Sequence, residues 1–284
     1  MKPSFTNEIS ASFLMFLDHE ICYNAQGFTN VASGRLYPSV DPSFGNSTIY
    51  QSEYRQWVSD GSISDVGGTI ANSIFSGAAT INKLQNGLKI DYGMGRVFFD
   101  DSFPKNLTNL TASFSRKEFN LFLTAKDEMQ LLMEDSNYYR QFPSGMAKNV
   151  EPYPLVYVKN FDSENKPFAF GGLDESEYEF RCTILSDNAF KLDSLSSTLQ
   201  DSARKTFPLA PSTGVPFNVF GDYKNNINYN YFNLCEEYKN NPVYIESVRV
   251  SKFDERLNKL IKDGTWGGFI DFKLKCLRHP RSPK

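Results

Sequence analysis

Histidine is almost missing from this 284-residue sequence, which holds only His19 and His279, and its four cysteines are scattered. Two distant histidines exclude a histidine-built metal centre. Without a C-x-x-C pair there is no zinc-ribbon or thioredoxin-type motif. Cys22, Cys182, Cys235 and Cys276 are too dispersed to read as a disulfide framework in a chain of this length. Cys182 and Cys276 fall on apolar faces of predicted strands, where a thiol packs as a small hydrophobe. Reduced core thiols in a reducing compartment are therefore expected. An excess of charge of one sign is also lacking. Lys and Arg number 30 against 33 Asp and Glu, a net charge of −3, which excludes a chain-wide attraction to nucleic acid or anionic lipid. The basic cluster Lys273, Lys275, Arg278, Arg281 and Lys284 is a local exception and reads as a solvated tail. The apolar run Phe13–Leu17 is closed at once by Asp18, His19 and Glu20. It is far shorter than the ~20 residues of a membrane span and does not fit a secretion signal, so no membrane association is expected. The Asn-x-Thr triplets at Asn46, Asn106 and Asn109 then read as chance matches to the glycosylation pattern.

What the chain has in plenty is aromatic material, 25 Phe and 15 Tyr. The periodicity sorts much of it into an α+β fold. Ile9, Phe13, Phe16 or Leu17, and Ile21 recur at helical spacing and predict an amphipathic helix over 7–26, stopped by Gly27. From Phe28 to Phe122, short apolar stretches alternate with Gly and Pro turns, the pattern of a sandwich-like or barrel-like β unit. Its clearest piece is a hairpin, Leu88–Tyr92 and Arg96–Asp100 around Gly93-Met94-Gly95. A strand over 118–124 and a short helix over 126–139, capped by Thr124, follow. The Pro- and Gly-bearing stretch 141–154 reads as a linker, dividing the chain into an N-terminal helix plus β-rich domain, 1–150, and an α+β domain, 151–284.

In the second half, strands are predicted at 155–159, 178–185, 217–220, 244–250 and 268–277. The last alternates Ile270, Phe272, Leu274 and Cys276 with Asp271, Lys273 and Lys275, so a one-residue slip would bury three charges. Between the second and third of these strands, Leu192, Leu195 and Leu199 mark the stripe of one long helix, capped by Ser186 or Asp187 and extended to Ala203 and Phe207. Each of the three leucines contributes roughly 1.5–3 kcal/mol when buried. The second half is thus a mostly antiparallel sheet packed by one long helix.

Little in the sequence carries chemistry. Asp18-His19-Glu20 combines reactive types, but adjacent helical positions diverge. Gly171-Gly172 and Gly267-Gly268 lack a phosphate-loop pattern, and no nucleophile elbow or H-E-x-x-H occurs. The carboxylate pairs Asp100-Asp101, Glu134-Asp135 and Glu236-Glu237 could in principle serve glycoside hydrolysis, yet read as solvated faces. No catalytic residue, cofactor or metal ligand is assigned. The candidate contact residues are instead aromatics outside the strand pattern: Tyr50, Tyr54 and Trp57 in a polar stretch, and Tyr223, Tyr229, Tyr231 and Phe232 among the asparagines before Pro242. Tyr and Trp suit surfaces with one buried and one wet end, and long loops in a compact domain are commonly functional. Trp57, Trp266 and these tyrosines could alternatively stack on sugars, as in a carbohydrate- or receptor-binding module.

The blocks Asn165–Asp174, Leu185–Asp193, Asp201–Phe207 and Pro216–Asp222 give the chain a resemblance to virion structural proteins of marine and cyanobacterial tailed phages. The stretches 30–38 and 54–62 and the hairpin at 90–100 fit the same resemblance, which spans most of the chain as a texture of blocks. The resemblance implies a non-enzymatic virion component, assembled in the host cytoplasm. The α+β second half is similar in style to neck and tail-terminator proteins. That likeness implies a head–tail joining ring subunit that contacts copies of itself, as a hexamer, and other head, neck or tail proteins. A baseplate or tail accessory role is the alternative within the particle. DNA would at most pass through a lumen, without sequence-specific binding.

Overall fold

The computed structural model describes residues 5–41, 47–82, 87–101, 103–104, 107–134, 153–169, 172–211, 215–216, 227–261 and 263–278. The strand predicted at 217–220, the linker residues 141–152 and Tyr223 lie outside them.

The chain opens with helix α1, Phe5–Tyr23. The N-terminal strands follow: β1 Phe28–Ser39, β2 Thr48–Ser52, β3 Ser73–Ser76, β4 Ala79–Asn82, β5 Lys89–Asp91, β6 Arg96–Phe99 and β7 Leu110–Lys117. A 3-10 turn at Gly61–Val66 lies between β2 and β3. These strands form a seven-stranded sheet in the order β4-β3-β7-β1-β2-β6-β5. Next come β8 Asn120–Leu123, α2 Glu128–Glu134, β9 Leu155–Ala169, β10 Leu173–Ser186, α3 Ala189–Gln200 and β11 Thr206–Pro208. The chain finishes with α4 Tyr231–Glu237, β12 Pro242–Lys252, α5 Glu255–Asn258 and β13 Trp266–Arg278. The second sheet has six strands in the order β11-β12-β13-β10-β9-β8, antiparallel except where β8 meets β9. The fold is α+β and β-rich, with two curled sheets.

Helix α1 is not amphipathic. Every residue from Ile9 to Cys22 is buried, polar ones included. A helix needs one solvent face only when one side of it meets water, and α1 is enclosed on all sides. Phe13 lies 4.9 Å from Phe180 and 5.0 Å from Phe272 across the six-stranded sheet, and 5.8 Å from Phe207. Helix α3 and the 3-10 turn also pack on α1. Its hydroxyls are satisfied internally: Ser10 Oγ donates to the Thr6 carbonyl, and Ser12 Oγ exchanges hydrogen bonds with Ala210. The left-handed residue at its end is Gln26 (φ 49°), not Gly27. Gly27 sits in a tight place, where a Cβ would stand 3.0 Å from Ile21 Cγ2 and 3.1 Å from the Ile21 carbonyl oxygen.

Sheet membership does not follow a division near residue 150. Both α1 and β8 belong with the second sheet, whose core gathers Phe13, Phe119, Leu121, Phe180, Leu195 and Phe272. The seven-stranded sheet has its own core around Trp57, Tyr92, Phe99 and Phe114. A third cluster, with Leu132, Leu185, Phe253 and Ile261, includes outward-facing positions of β10.

The hairpin over 88–100 forms as expected, with Asp91 opposite Arg96 and Gly95 at φ 61°. Helix α3 is capped by Asn188, whose side chain accepts from the Phe190 amide, and it stops at Gln200. Phe207 therefore enters the core from β11 and not from a helical stripe. Helix α2 is headed by Asp127, which accepts from the Gln130 amide. Strand β9 runs ten residues beyond the predicted end at Lys159.

Phe13 is the contact shared by α1, two central strands and β11. Phe13→Ala should lower stability by about 3–5 kcal/mol, measured by urea denaturation. A loss below ~1 kcal/mol would show that the aromatic cluster does not hold α1 in place.

Candidate functional site: a buried polar junction and an exposed sheet

One turn of α1 carries three polar residues into the interior, and each meets a different element. Asp18 receives the Lys117 ammonium of β7 at 2.5 Å and the Tyr229 hydroxyl at 3.3 Å. Lys117 has a fully buried side chain. His19 Nδ1 lies 2.8 Å from Asp60 Oδ2. Glu20 meets Lys205 at 2.7 Å and Asn24 at 2.6 Å. Adjacent helical positions do diverge, and here the divergence lets a single turn reach three partners.

Asp60 is the second hub. Its Oδ1 accepts from the Ser62 amide (3.0 Å), the Ser62 hydroxyl (2.7 Å) and the Tyr231 amide (3.0 Å). Main-chain bonds Gly61 N to Tyr229 O and Tyr229 N to Ser59 O tie the same two segments together. The imidazole of His19 stacks on Tyr231 with centroids 4.0 Å apart, and Phe232 meets it edge-on. The junction thus fastens α1, the 56–62 segment, β7 and the start of α4.

Ser62, His19 and Asp60 are the residue types of a nucleophilic triad, but their geometry differs. Both the Ser62 hydroxyl (3.3 Å) and Asp60 approach the same nitrogen, Nδ1, and the hydroxyl proton is directed at Asp60. A charge-relay arrangement needs the nucleophile on the opposite ring nitrogen. All three are also buried, Ser62 completely. The arrangement can position elements and hold charge, and it does not present a nucleophile to a substrate.

Three of the four thiols, Cys22, Cys182 and Cys276, are buried, and Cys235 is half-buried. Burial pushes the Cys22 pKa well up, with Asp18 adding to the effect, and burial raises Cys182 and brings Cys276 to about 11. A thiol held protonated is a poor nucleophile. Among the described residues, no group of three His, Cys, Asp or Glu is placed to hold a metal ion. No helix among them is long and apolar enough to cross a membrane. Asp100, Asp101, Glu236 and Glu237 are exposed. An open groove of about 330 Å³ is lined by Ile21, Phe28, Phe119, Phe190 and Leu195, with Glu118 and Lys191 its charged residues.

The aromatic contact candidates scatter. Tyr50 lies on β2, fully buried, its hydroxyl donating to the Pro104 carbonyl and accepting from the Leu107 amide. Trp57 is fully buried and stacked 4.1 Å from Phe114. Tyr54 is half-buried under the Arg116 guanidinium. Tyr229 and Tyr231 are buried in the junction. Tyr50, Trp57, Tyr229 and Tyr231 are therefore core residues, because the stretches read as loops contain β2 and α4. Phe232 stays exposed at 41%, and Trp266 is half exposed. Tyr223 lies outside the described residues.

The outer face of the six-stranded sheet carries a charge lattice that extends the charged face of β13 to its neighbours. Lys275 meets Glu175, Glu177 and Glu246 at 2.8–3.1 Å, Lys273 meets Glu177 and Glu246, and Lys166 meets Glu177 at 3.0 Å. Arg181 clasps Asp271 through two nitrogens. The Lys166 ammonium, with Lys275 and Lys273, holds Glu177 down at about 2. On the β9 side of the lattice, residues 161–169 are all exposed, Phe161 and Phe168 included.

No protein-family model matches the chain, and no curated protein matches it in sequence.

Removing the Lys117 ammonium strands Asp18 in the interior, so Lys117→Ala should cost about 3–5 kcal/mol. Lys117→Met combined with Asp18→Asn should recover most of that loss, because Asn still accepts from Tyr229. Equal losses in both variants, measured by urea denaturation, would contradict a charge-pairing role.

Glu177 yields a pH prediction with a definite sign. Its folded pKa lies below the ordinary 4.5, so its contribution is complete above ~4.5 and disappears as pH falls toward 2. Thermal unfolding should show Glu177→Gln flattening the acid limb in that window. The effect is on the order of 1 kcal/mol after solvent screening, and a variant with an unchanged acid limb would remove the lattice as its cause.

Proposed function

We propose that this protein is a non-enzymatic structural subunit of a tailed-phage particle. It acts in the head–tail joining region as one member of a ring built from copies of itself, with other virion proteins as neighbours. One observation carries the emphasis on contact over chemistry: a cluster of reactive polar groups is turned inward while two large aromatics are turned outward. Asp18, His19, Asp60, Ser62 and Lys117 face one another in the interior, where they join elements. The β9–β10 hairpin instead holds Phe161 and Phe168 in solvent at 58% and 57% exposure, on a strand whose flank carries no neighbour beyond Val158 among the described residues. Exposed aromatics on a sheet-anchored arm suit a partner surface, since the sheet fixes their position before binding.

The contact surface of this reading differs from the loops expected at 40–57 and 223–238. It moves to the hairpin arm, with Phe232 the one aromatic of the earlier set that is exposed among the described residues. The carbohydrate- or receptor-binding reading loses Trp57 to the core and keeps Trp266.

Sedimentation velocity over a concentration series, alone and with candidate head and tail proteins, tests the proposal. A discrete closed oligomer, six subunits being the expected number, supports it. A protein that stays monomeric in every mixture overturns it. Binding of a surface glycan by the monomer, lost in Trp266→Ala, would favour the receptor-binding reading.

A further inference from the structure

The six-stranded sheet ends on two open edges. On one side β8 pairs only with 155–158 of β9, and residues 159–166 have no strand beyond them among the described residues. Pro167, which has no amide hydrogen, bounds that stretch. On the other side β11 pairs only with 242–244 of β12, and main-chain bonds to Ile245 end the contact. Among the described residues, 247–252 again have no strand beyond them. Open edges present main-chain donors and acceptors to any strand that fits.

The two edges differ in charge. On β9, Asp162 and Glu164 sit opposite Glu179 and Glu177, placing both on the outer face. On β12, Arg249 sits opposite Asp271, also on the outer face. All three are exposed. The same face of β9 also carries Lys159 and Lys166, opposite Arg181 and Glu175, with Lys166 held by Glu164 and Glu177. Pairing β9 with β9 about Ser163 would bring Asp162 to Glu164, and pairing β12 with β12 about Arg249 would bring Arg249 to itself; like charges across a ladder destabilise it. The unlike pairing sets Arg249 against Asp162 and Glu164, opposite charges on one face.

Strand direction agrees. Counting from β12 through β13 and β10 to β9, each step is antiparallel, so β12 and β9 run in opposite senses within one chain. A copy placed beside the first by rotation about an axis along the strands keeps that sense. Its β12 would then meet β9 antiparallel and continue the existing alternation. Such a contact uses two different patches and is heterologous, as ring closure needs.

We propose that the open edge of β9 at 159–166 pairs antiparallel with the open edge of β12 at 247–252 of a second copy, continuing the sheet across subunits. Asp162 and Glu164 of one copy face Arg249 of the next. The proposal rests on the ring reading above and assigns its contact.

The experiment exchanges charge on full-length protein and reads mass by sedimentation velocity, with circular dichroism confirming the fold. Arg249→Glu alone, and Asp162→Lys with Glu164→Lys alone, should each weaken assembly at least tenfold in subunit concentration. Mixing the two variants should restore it, because each then offers the edge the other needs, and all three substitutions in one chain should restore it too. If wild-type protein assembles and every variant assembles equally well, the edge pairing is overturned while the ring reading stands. If the variants fail and neither mixture nor triple variant recovers, the edge pairing is likewise overturned. Wild-type protein that is monomeric under all conditions overturns both.

Discussion

The rest of the structure depends on burying Asp18 against Lys117 on a helix enclosed by apolar packing. A fully buried ion pair gains little net stability over well-packed apolar residues, because desolvation offsets the Coulomb attraction. What it does gain is discrimination. Lys117 ends β7 of the first sheet, and Asp18 lies on the helix that fills the core of the second. If the sheets docked with α1 turned by one residue, Asp18 would lose Lys117, and His19 would lose Asp60. Each loss leaves a charged or polar group without its partner in a low dielectric, far more costly than a shifted leucine. Apolar packing of Phe13, Phe16 and Phe207 supplies the attraction, and the polar turn selects one arrangement.

Asp60 extends the same logic to a segment distant in sequence. It accepts from its own turn through Ser62 and from the Tyr231 amide at the start of α4. The stack of His19 on Tyr231 closes the remaining side. One carboxylate therefore fixes the ends of two connections, and the helix carrying His19 is locked between them. Such a junction is served by groups that stay buried and paired, the opposite of what a substrate site requires.

Strand alternation made much of the fold legible in advance. Ile270, Phe272, Leu274 and Cys276 against Asp271, Lys273 and Lys275 left one sensible register for β13, and the Gly-x-Gly hairpin at 93–95 needed only local turn chemistry. Other features depended on tertiary partners that no local pattern encodes. The spacing of Ile9, Phe13 and Ile21 reads as one-sided, and only the enclosing elements turn Asp18, His19 and Glu20 into buried residues. Asp60 and Lys117 stand alone in sequence with no spacing to mark them. Tyr50 and Trp57 look like wet aromatics because their neighbours are polar, yet β2 and the Phe114 ring draw them inside. The run of β9 beyond Lys159 was hidden for a related reason: its residues are exposed on both faces, so no apolar alternation announces a strand.

That exposed extension is held straight by its neighbour and not by a core. Glu164, Lys166, Glu175 and Glu177 share the outer face with Lys273 and Lys275, and their ion pairs tie β9, β10, β13 and β12 across the sheet. Isolated surface pairs contribute little, but a lattice in which Lys275 meets three carboxylates resists slippage, since a shift of one residue breaks every contact together. The lattice begins at β12, whose open edge carries Arg249, and ends at β9, whose open edge carries Asp162 and Glu164. Register at one edge is thereby mechanically tied to register at the other. A sheet meant to be extended from both sides needs that property, because an error at one contact would otherwise accumulate around an assembly instead of closing it.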